Sequence, residues 1–426
     1  MFSGAVRKLG RWSLLGCAVG VLCGAASALF LWLLELATDF RSGHGAIIFL
    51  LPVAGAALGW LQQRHGQAIR GGNNLVIDTL HEGGPGLPKR MAPMVLAGTV
   101  LTHLFGGSAG REGTAVQMGA GLADWVSHRL RLGPELRLQL LTAGVAGGFG
   151  SVFGTPWAGA IFSLEFVVVG RIRHGAWVPA LIASVVGDMT TRALGMGHTP
   201  YPTVPSLSIS LPLLGKWLLF ALAIAAVAVA FIELTHRIRQ VCEKRLGHLA
   251  VRMFFGGLAV VALWRWVGND THLGLGVPTI LRAFEAPAVG PELFALKLLF
   301  TAITLGTGFL GGEVTPLFFI GATLGSVLAQ ALGIPLAMGA GVGMAAVFAA
   351  ASNTPLAMSV MAVELLGIGV LPHVLIVCVA AFLLTGHRSI YPAQRLGRAK
   401  WGPGGPPLRR LQELPAARAM TADRAK

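Results

Sequence analysis

Gly110-Arg111-Glu112-Gly113-Thr114 places an acid between glycines in an otherwise apolar stretch, and Gly311-Gly312-Glu313-Val314-Thr315 is its second version about two hundred residues later. Forty-three residues after Glu112 stands Thr155-Pro156, followed by Ala158 and Glu165. Forty-one residues after Glu313 stands Thr354-Pro355, followed by Ala357 and Glu364. In both copies ten residues separate the threonine from the second glutamate. A single phrase recurs by chance easily; an ordered set does not. A duplicated apolar unit with ionisable residues at matching interruptions is the pattern of a transporter whose site lies between two repeats. The expected fold is therefore an all-α polytopic membrane protein.

Composition supports that class. Of 426 residues 54% are hydrophobic and 12% charged, against about 25% charged in soluble domains. Trp12 to Leu34 carries no charge over 23 positions, enough for a helix to cross a hydrocarbon core of about 30 Å. Arg7, Lys8 and Arg11 before it and Ala26-Ser27-Ala28 within it also suit a cleaved signal peptide, but the apolar run continues past that triplet. A net charge of +15 would suggest nucleic acid in a soluble chain. Here the bases gather instead at the N-terminus, at Arg129, Arg131 and Arg137, at Arg171 and Arg173, at Arg237, Arg239, Lys244 and Arg245, and from Arg388 onward. Such clusters in short loops mark the cytoplasmic side, so both termini are expected inside, with anionic lipid and not nucleic acid as the neighbour of the basic tail. Gly195 to Pro212 contains no Lys, Arg, Asp or Glu and is expected outside. Cys17, Cys23, Cys242 and Cys378 show no metal-type spacing and read as packing residues.

Many apolar segments are shorter than the roughly 20 residues of a full span, whereas Leu138 to Val169 and Thr315 to Leu384 are nearly continuous. Short pieces bounded by glycine pairs point to helices that stop partway, which is tolerated only where protein or a watery cavity satisfies the freed backbone. The helix after Glu112 runs into the basic loop Arg129 to Arg137, the one after Glu313 into the uncharged Gln330 to Pro335. The two copies are therefore expected to lie in opposite directions. Residues 1–390 form the expected transmembrane domain and 391–426 a basic cytoplasmic tail, with no regulatory domain.

Glu112 is the leading candidate for chemistry. An acid inside an apolar region is costly unless it faces a cavity or accepts a proton. The helix start there also attracts anions, so its carboxylate and a transported anion would compete for one place; the alternative is a glutamate capping its own helix. Val314 and Thr315 sit at the second helix start. Asn73 and Asn74, after Gly71-Gly72, form a third polar break, readable equally as donors to a ligand or as a loop and cap. Tyr391 lies where the last span meets the tail, either as a hydroxyl donor or as an interfacial anchor. Glu165 and Glu364 favour a structural role as caps of neighbouring helix ends. Gly106-Gly107-Ser108-Ala109-Gly110 matches the hydrolase elbow G-x-S-x-G, but that elbow needs a preceding strand; an intramembrane serine hydrolase is the different-class alternative. No cofactor, metal or enzymatic activity is expected.

Gly110-Arg111-Glu112-Gly113-Thr114, the Gly311 to Pro316 phrase, both Thr-Pro...Glu phrases and Tyr391 before the tail resemble the CLC family of anion channels and proton-coupled anion antiporters, over nearly the whole chain. The resemblance implies a homodimer with a pathway in each subunit and a CLC-type fold of two inverted repeats with many broken or tilted helices, about 70–190 and 253–385. It implies that Glu112 is the gating, proton-carrying glutamate, and that Asn73, Asn74, Gly113, Val314, Thr315 and Tyr391 surround the anion. Where chloride-handling members carry Gly-Ser-Gly-Ile-Pro, this chain has Gly71-Gly72-Asn73-Asn74-Leu75; where they carry Ile-Phe-Ala-Pro, it has Glu313-Val314-Thr315-Pro316. Both replacements resemble the bacterial fluoride/proton antiporter branch. Chloride/proton exchangers often carry an acid directly after the position of Glu165; here it is Phe166. The expected activity is export of fluoride for protons across a bacterial inner membrane. A chloride/proton antiporter or passive anion channel is the alternative.

Overall fold

A computed structural model describes residues 2–401 and 409–411. The parts of the expected tail at 402–408 and 412–426 lie outside the described residues. The chain is helical almost throughout: α1 (Phe2–Gly43), α2 (Leu51–His65), α3 (Asn73–Glu82), α4 (Met91–Leu104), α5 (Glu112–Arg129), α6 (Pro134–Phe153), α7 (Pro156–Glu165), α8 (Trp177–Ala193), α9 (Leu211–Arg245), α10 (Leu249–Val267), α11 (Val277–Arg282), α12 (Glu292–Thr307), α13 (Val314–Leu332), α14 (Leu336–Ser352), α15 (Pro355–Leu366) and α16 (Leu371–Leu384). Among the described residues six helical stretches are long and apolar enough to cross a membrane, and several apolar helices are shorter.

The order of elements from α4 to α8 recurs from α12 to α16, including a single 3₁₀ turn before the last helix of each set. In each set the first helix ends at a glycine in the left-handed region, Gly106 at φ 89° and Gly308 at φ 111°. Side chains rarely adopt that conformation. Six residues later the next helix starts, at Glu112 and at Val314. Between these points Gly110 and Gly312 pair as an antiparallel bridge, Gly110 N–H donating to Gly312 O at 2.6 Å and Gly312 N–H to Gly110 O at 2.8 Å. The two glutamate phrases thus meet head to head.

The nearly continuous apolar runs are divided. Gly154, at φ 75°, ends α6, and Pro156 opens α7; proline lacks an N–H and disfavours helical backbone in the residue before it. Asn353, at φ 61°, and Pro355 do the same between α14 and α15. Two reciprocal caps hold the shorter helices. Glu364, near the end of α15, accepts from Trp157 N–H at 2.9 Å and Ala158 N–H at 2.8 Å, at the start of α7. Glu165, at the end of α7, accepts from Leu356 N–H at 3.1 Å and Ala357 N–H at 2.8 Å, at the start of α15. Capping of neighbouring helix ends is what these glutamates do.

Small residues let the long helices approach backbone to backbone. A side chain at Gly119 would strike Gly144 O, and one at Gly321 would strike Gly343 O, so α5 packs directly on α6 and α13 on α14. Such contacts replace the hydrophobic driving force, which is weak between helices in lipid. α9 extends past its apolar half through Arg237, Arg239 and Arg245. At 35 residues it is about 50 Å long, at about 1.5 Å per residue, and outruns the hydrocarbon core. The tail after α16 adds a small sheet that the all-α expectation lacks. Its strand β2 (Arg395–Leu396) pairs parallel with β1 (Val168–Val169) and antiparallel with β3 (Arg409–Arg410). Arg410 and Arg395 then reach Glu82 at the end of α3, at 2.9 and 2.6 Å.

Candidate functional site

Two layers of candidate residues stack where the glutamate phrases meet. In the first, Glu112 is fully buried and its carboxylate turns away from its own helix toward the start of α13. Thr315 Oγ1 lies 2.7 Å from each carboxylate oxygen, and Thr315 N–H donates to Oε2 at 3.2 Å. The adjacent Arg111 donates from its backbone at 3.2 Å and from Nε at 3.3 Å. The self-capping alternative is thus a minor part of the geometry. The principal partners come from the other copy, at a helix start whose unpaired N–H groups and dipole favour negative charge. The Thr315 hydroxyl has one proton to donate, so it bonds one oxygen at a time.

The second layer faces a cavity of about 480 Å³ lined in part by Asn73, Asn74, Thr114, Gln117, Glu313 and Tyr391. Gly113 links the layers: a side chain there would lie 3.0 Å from Asn73 Nδ2, 3.1 Å from Gly312 Cα and 3.3 Å from Glu313 Oε2. Glycine fits this approach of α5, α3 and the Glu313 side chain without displacing a neighbour. Asn73 is buried, and its Oδ1, like Glu313 Oε2, has no hydrogen-bond partner among the described residues. Asn74 differs: its Oδ1 accepts from Ala393 N–H at 3.1 Å, which ties α3 to the segment after Tyr391. Both asparagines line the cavity; Asn74 is tied by a structural bond through its Oδ1, whereas no such bond holds the Asn73 Oδ1 among the described residues. Val314 packs into the apolar core, and its contribution to the site is its place at the first position of α13.

Tyr391 is 2% exposed and lines the cavity, so it is not an interfacial anchor. Its ring meets the edge of Phe166 at a centroid distance of 6.3 Å. The segment is held by a residue that sequence reading missed. Gln394, fully buried, donates from Nε2 to Phe166 O at 2.6 Å and Ser352 O at 2.8 Å, and its Oε1 accepts from Ser389 at 2.6 Å and Asn353 at 3.0 Å. Ser389 Oγ in turn accepts from Tyr391 N–H at 2.9 Å. A lone glutamine among arginines carries no signal in sequence that would single it out.

The elbow-like phrase serves the same scaffold. Ser108 Oγ bonds Thr301 Oγ1 at 2.9 Å, while both ring nitrogens of His103 face carbonyl oxygens, Thr99 O at 2.8 Å and Ala109 O at 3.0 Å. Ser108 and His103 do not form a nucleophile and base pair. The four cysteines are free.

Residues 54–386 match a family model described as voltage gated chloride channel. A curated relative from Pseudomonas syringae pv. tomato, named a chloride/fluoride channel protein, is 45% identical over 403 residues, covering 92% of this chain and 88% of its own. A solved CLC-type fluoride/proton antiporter is similar at a TM-score of 0.88 and 36% identity, covering 91% of this chain and 98% of that one. A slow cyanobacterial Cl−/H+ antiporter shares the fold at a TM-score of 0.79 with 20% identity.

Proposed function

This chain belongs to the CLC family described as voltage gated chloride channel, and from that premise we propose that it exports fluoride in exchange for protons. It is a multi-pass membrane transporter and not an enzyme. The observation that carries the reading is the Glu112 carboxylate seated on the Thr315 hydroxyl and N–H. A carboxylate there holds the place that a small anion would take at the α13 start. Protonation removes its charge and weakens those charge-assisted bonds, freeing Glu112 to leave with a proton while fluoride takes its donors. Fluoride is compact and strongly hydrated, so it needs hard donors in place of its water. The Thr315 hydroxyl, the Val314 and Gly113 backbone, the Asn73 amide and the Tyr391 hydroxyl supply that class of donor, and Asn74 fixes the α3 start that presents Asn73.

The basic end of α9, the basic loops and the tail support a topology with both termini in the cytoplasm of a bacterial cell, the cavity then opening inward. A homodimer is what the family resemblance implies, and the apolar side chains exposed on α7, α15 and α16 (Trp157, Leu356, Leu375 and Val379, with Ile368 beside them) offer one face for it. Phe166, fully buried beside Tyr391, leaves a second reading, passive anion conduction: no acid follows Glu165, which suits the fluoride exchangers this chain resembles and a channel alike. Purified protein in fluoride-loaded vesicles separates the two: efflux with stoichiometric proton uptake supports exchange, and efflux with no proton movement supports the channel. Equal flux of chloride would remove the fluoride assignment.

A further inference from the structure

Tyrosine occurs twice in this chain, at Tyr391 and at Tyr201, and both lie within electrostatic reach of Glu112. Tyr391 reaches it from the cavity, which Tyr201 does not line. Tyr201 belongs to the uncharged stretch Gly195 to Pro212, which crosses from one copy of the helical order to the other. At one end His198 Nε2 lies 2.8 Å from Asp188 Oδ1 on α8. A side chain at Gly154, in the turn between α6 and α7, would strike the His198 ring. At the other end Val204 N–H donates to Leu366 O at 2.9 Å, at the close of α15. Leu207 O accepts from His373 Nε2 on α16, also at 2.9 Å. A side chain at Gly369 would lie 2.8 Å from Ser206 N and 2.9 Å from Val204 O. The stretch is therefore a strap fastened to both copies.

Midway along the strap, Tyr201 stands between Pro200 and Pro202. A following proline confines a residue to extended backbone, so the chain itself sets the place of this tyrosine. Its ring is half-buried and packs on Phe284, just after α11, at a centroid distance of 6.3 Å. The hydroxyl forms no hydrogen bond among the described residues, while the charges of Arg111 and Glu112 act on it. Burial pushes it above the usual tyrosine range; Arg111 opposes that and Glu112 adds to it. The phenol therefore keeps its proton and offers both an acceptor and a donor. Packing on Phe284 needs only the ring and leaves the hydroxyl without a task.

We propose that Tyr201 is a positioning residue for the released Glu112: once protonated and free of Thr315, the carboxyl donates its O–H to the Tyr201 hydroxyl. This rests on the proposed exchange, with Glu112 as the moving acid. The Thr315 hydroxyl and N–H hold the charged carboxylate; Tyr201, uncharged and beside an aromatic ring, holds the neutral acid. The strap fixes the second position as α13 fixes the first. The proton later leaves the carboxyl for water, and Tyr201 neither gains nor loses one. The other titratable groups facing Glu112 are Arg111 beside it, and Glu313 and Tyr391 on the cavity side. His198, with Asp188 and Arg192, titrates at the end of the strap.

The test is the external pH dependence of initial fluoride efflux from vesicles holding the full-length protein. Tyr201→Phe keeps the ring and removes the hydroxyl, so the neutral acid loses its partner and protonation becomes harder. The external proton concentration for half-maximal efflux is expected to rise about fivefold, the worth of one ordinary hydrogen bond. The rate at saturating acid, the proton to fluoride ratio and the unfolding temperature should stay as in the unmodified protein. Ser206→Ala, on the same strap, should leave the proton dependence unchanged. In a Glu112→Gln background, where that carboxyl no longer titrates, adding Tyr201→Phe should not alter the pH dependence of the anion flux. An unchanged proton dependence in Tyr201→Phe overturns the proposal, as does an equal shift in Ser206→Ala or in the Glu112→Gln background. An unmodified protein that moves no fluoride, or moves it without protons, sinks the functional reading instead. The same shift must then appear in the pH dependence of the anion flux that remains, because Glu112 still has to leave Thr315.

Discussion

At the scale of single residues, the account rests on a pair that no sequence spacing could join: Glu112 and Thr315 lie 203 positions apart and share hydrogen bonds at 2.7 Å. Glu112→Gln removes the titratable group and keeps its size, so fluoride flux should lose its accompanying proton movement; retained coupling would contradict the assigned role. Thr315→Val removes the hydroxyl at constant shape. A hydrogen bond to a charged group contributes about 1.5–3 kcal/mol, so the half-saturating fluoride concentration should rise at least roughly tenfold, measured by fluoride-selective electrode. Asn73 and Asn74 should separate. Asn73→Leu is expected to change anion preference, whereas Asn74→Leu should lower the unfolding temperature through loss of the Ala393 bond and leave preference intact. Sequence marked Glu112 because an acid in an apolar run stands out. It left the two asparagines equal, since successive residues on a helix point about 100° apart and only tertiary partners decide which one is bonded to another segment.

At the scale of elements, the Thr-Pro breaks and their glutamates form exchanged caps between α7 and α15. Glu165→Gln and Glu364→Gln should each lower stability by about 1–2 kcal/mol, the usual worth of a helix cap, read as a lower midpoint of thermal unfolding in detergent. Because the caps lie away from Thr315, selectivity among anions should be unchanged in whatever fraction remains folded. A midpoint unchanged in both variants would show that the caps do not hold these helices. The equal spacing of ten makes this symmetry legible in the amino-acid order alone. What the Thr155-Pro156 break in the Leu138 to Val169 run did not show was how the chain turns there: the left-handed Gly154 changes direction without adding polarity. The reach of α9 was hidden for the opposite reason, because its last turns are basic and a hydropathy reading stops at Ile232. Gln394 was missed altogether, its burial being set by Phe166, Ser352 and Asn353 from distant segments as well as by the nearby Ser389.

At the scale of the whole molecule, two copies of one helical order meet at the Gly110 and Gly312 bridge, and the site forms only where they join. Duplication was legible from the phrases, and the opposed directions were expected from the charges of the loops. Which glutamate would reach across to the other copy was not. On the homodimer proposal, the apolar face around Ile368, itself 70% exposed, meets a second copy of the chain. Ile368→Glu together with Leu375→Glu is expected to give monomers by light scattering that still transport, since the residues of the site all lie in one chain; loss of transport on dissociation would show that the subunits depend on each other. The central claim is that fluoride and the Glu112 proton exchange at the Thr315 donors, and its most direct test is uphill proton movement. In vesicles with the membrane potential clamped at zero and no pH gradient, an outward fluoride gradient should drive protons inward in the unmodified protein and not in Glu112→Gln. Fluoride leaving the vesicles with no proton uptake in the unmodified protein would contradict the account.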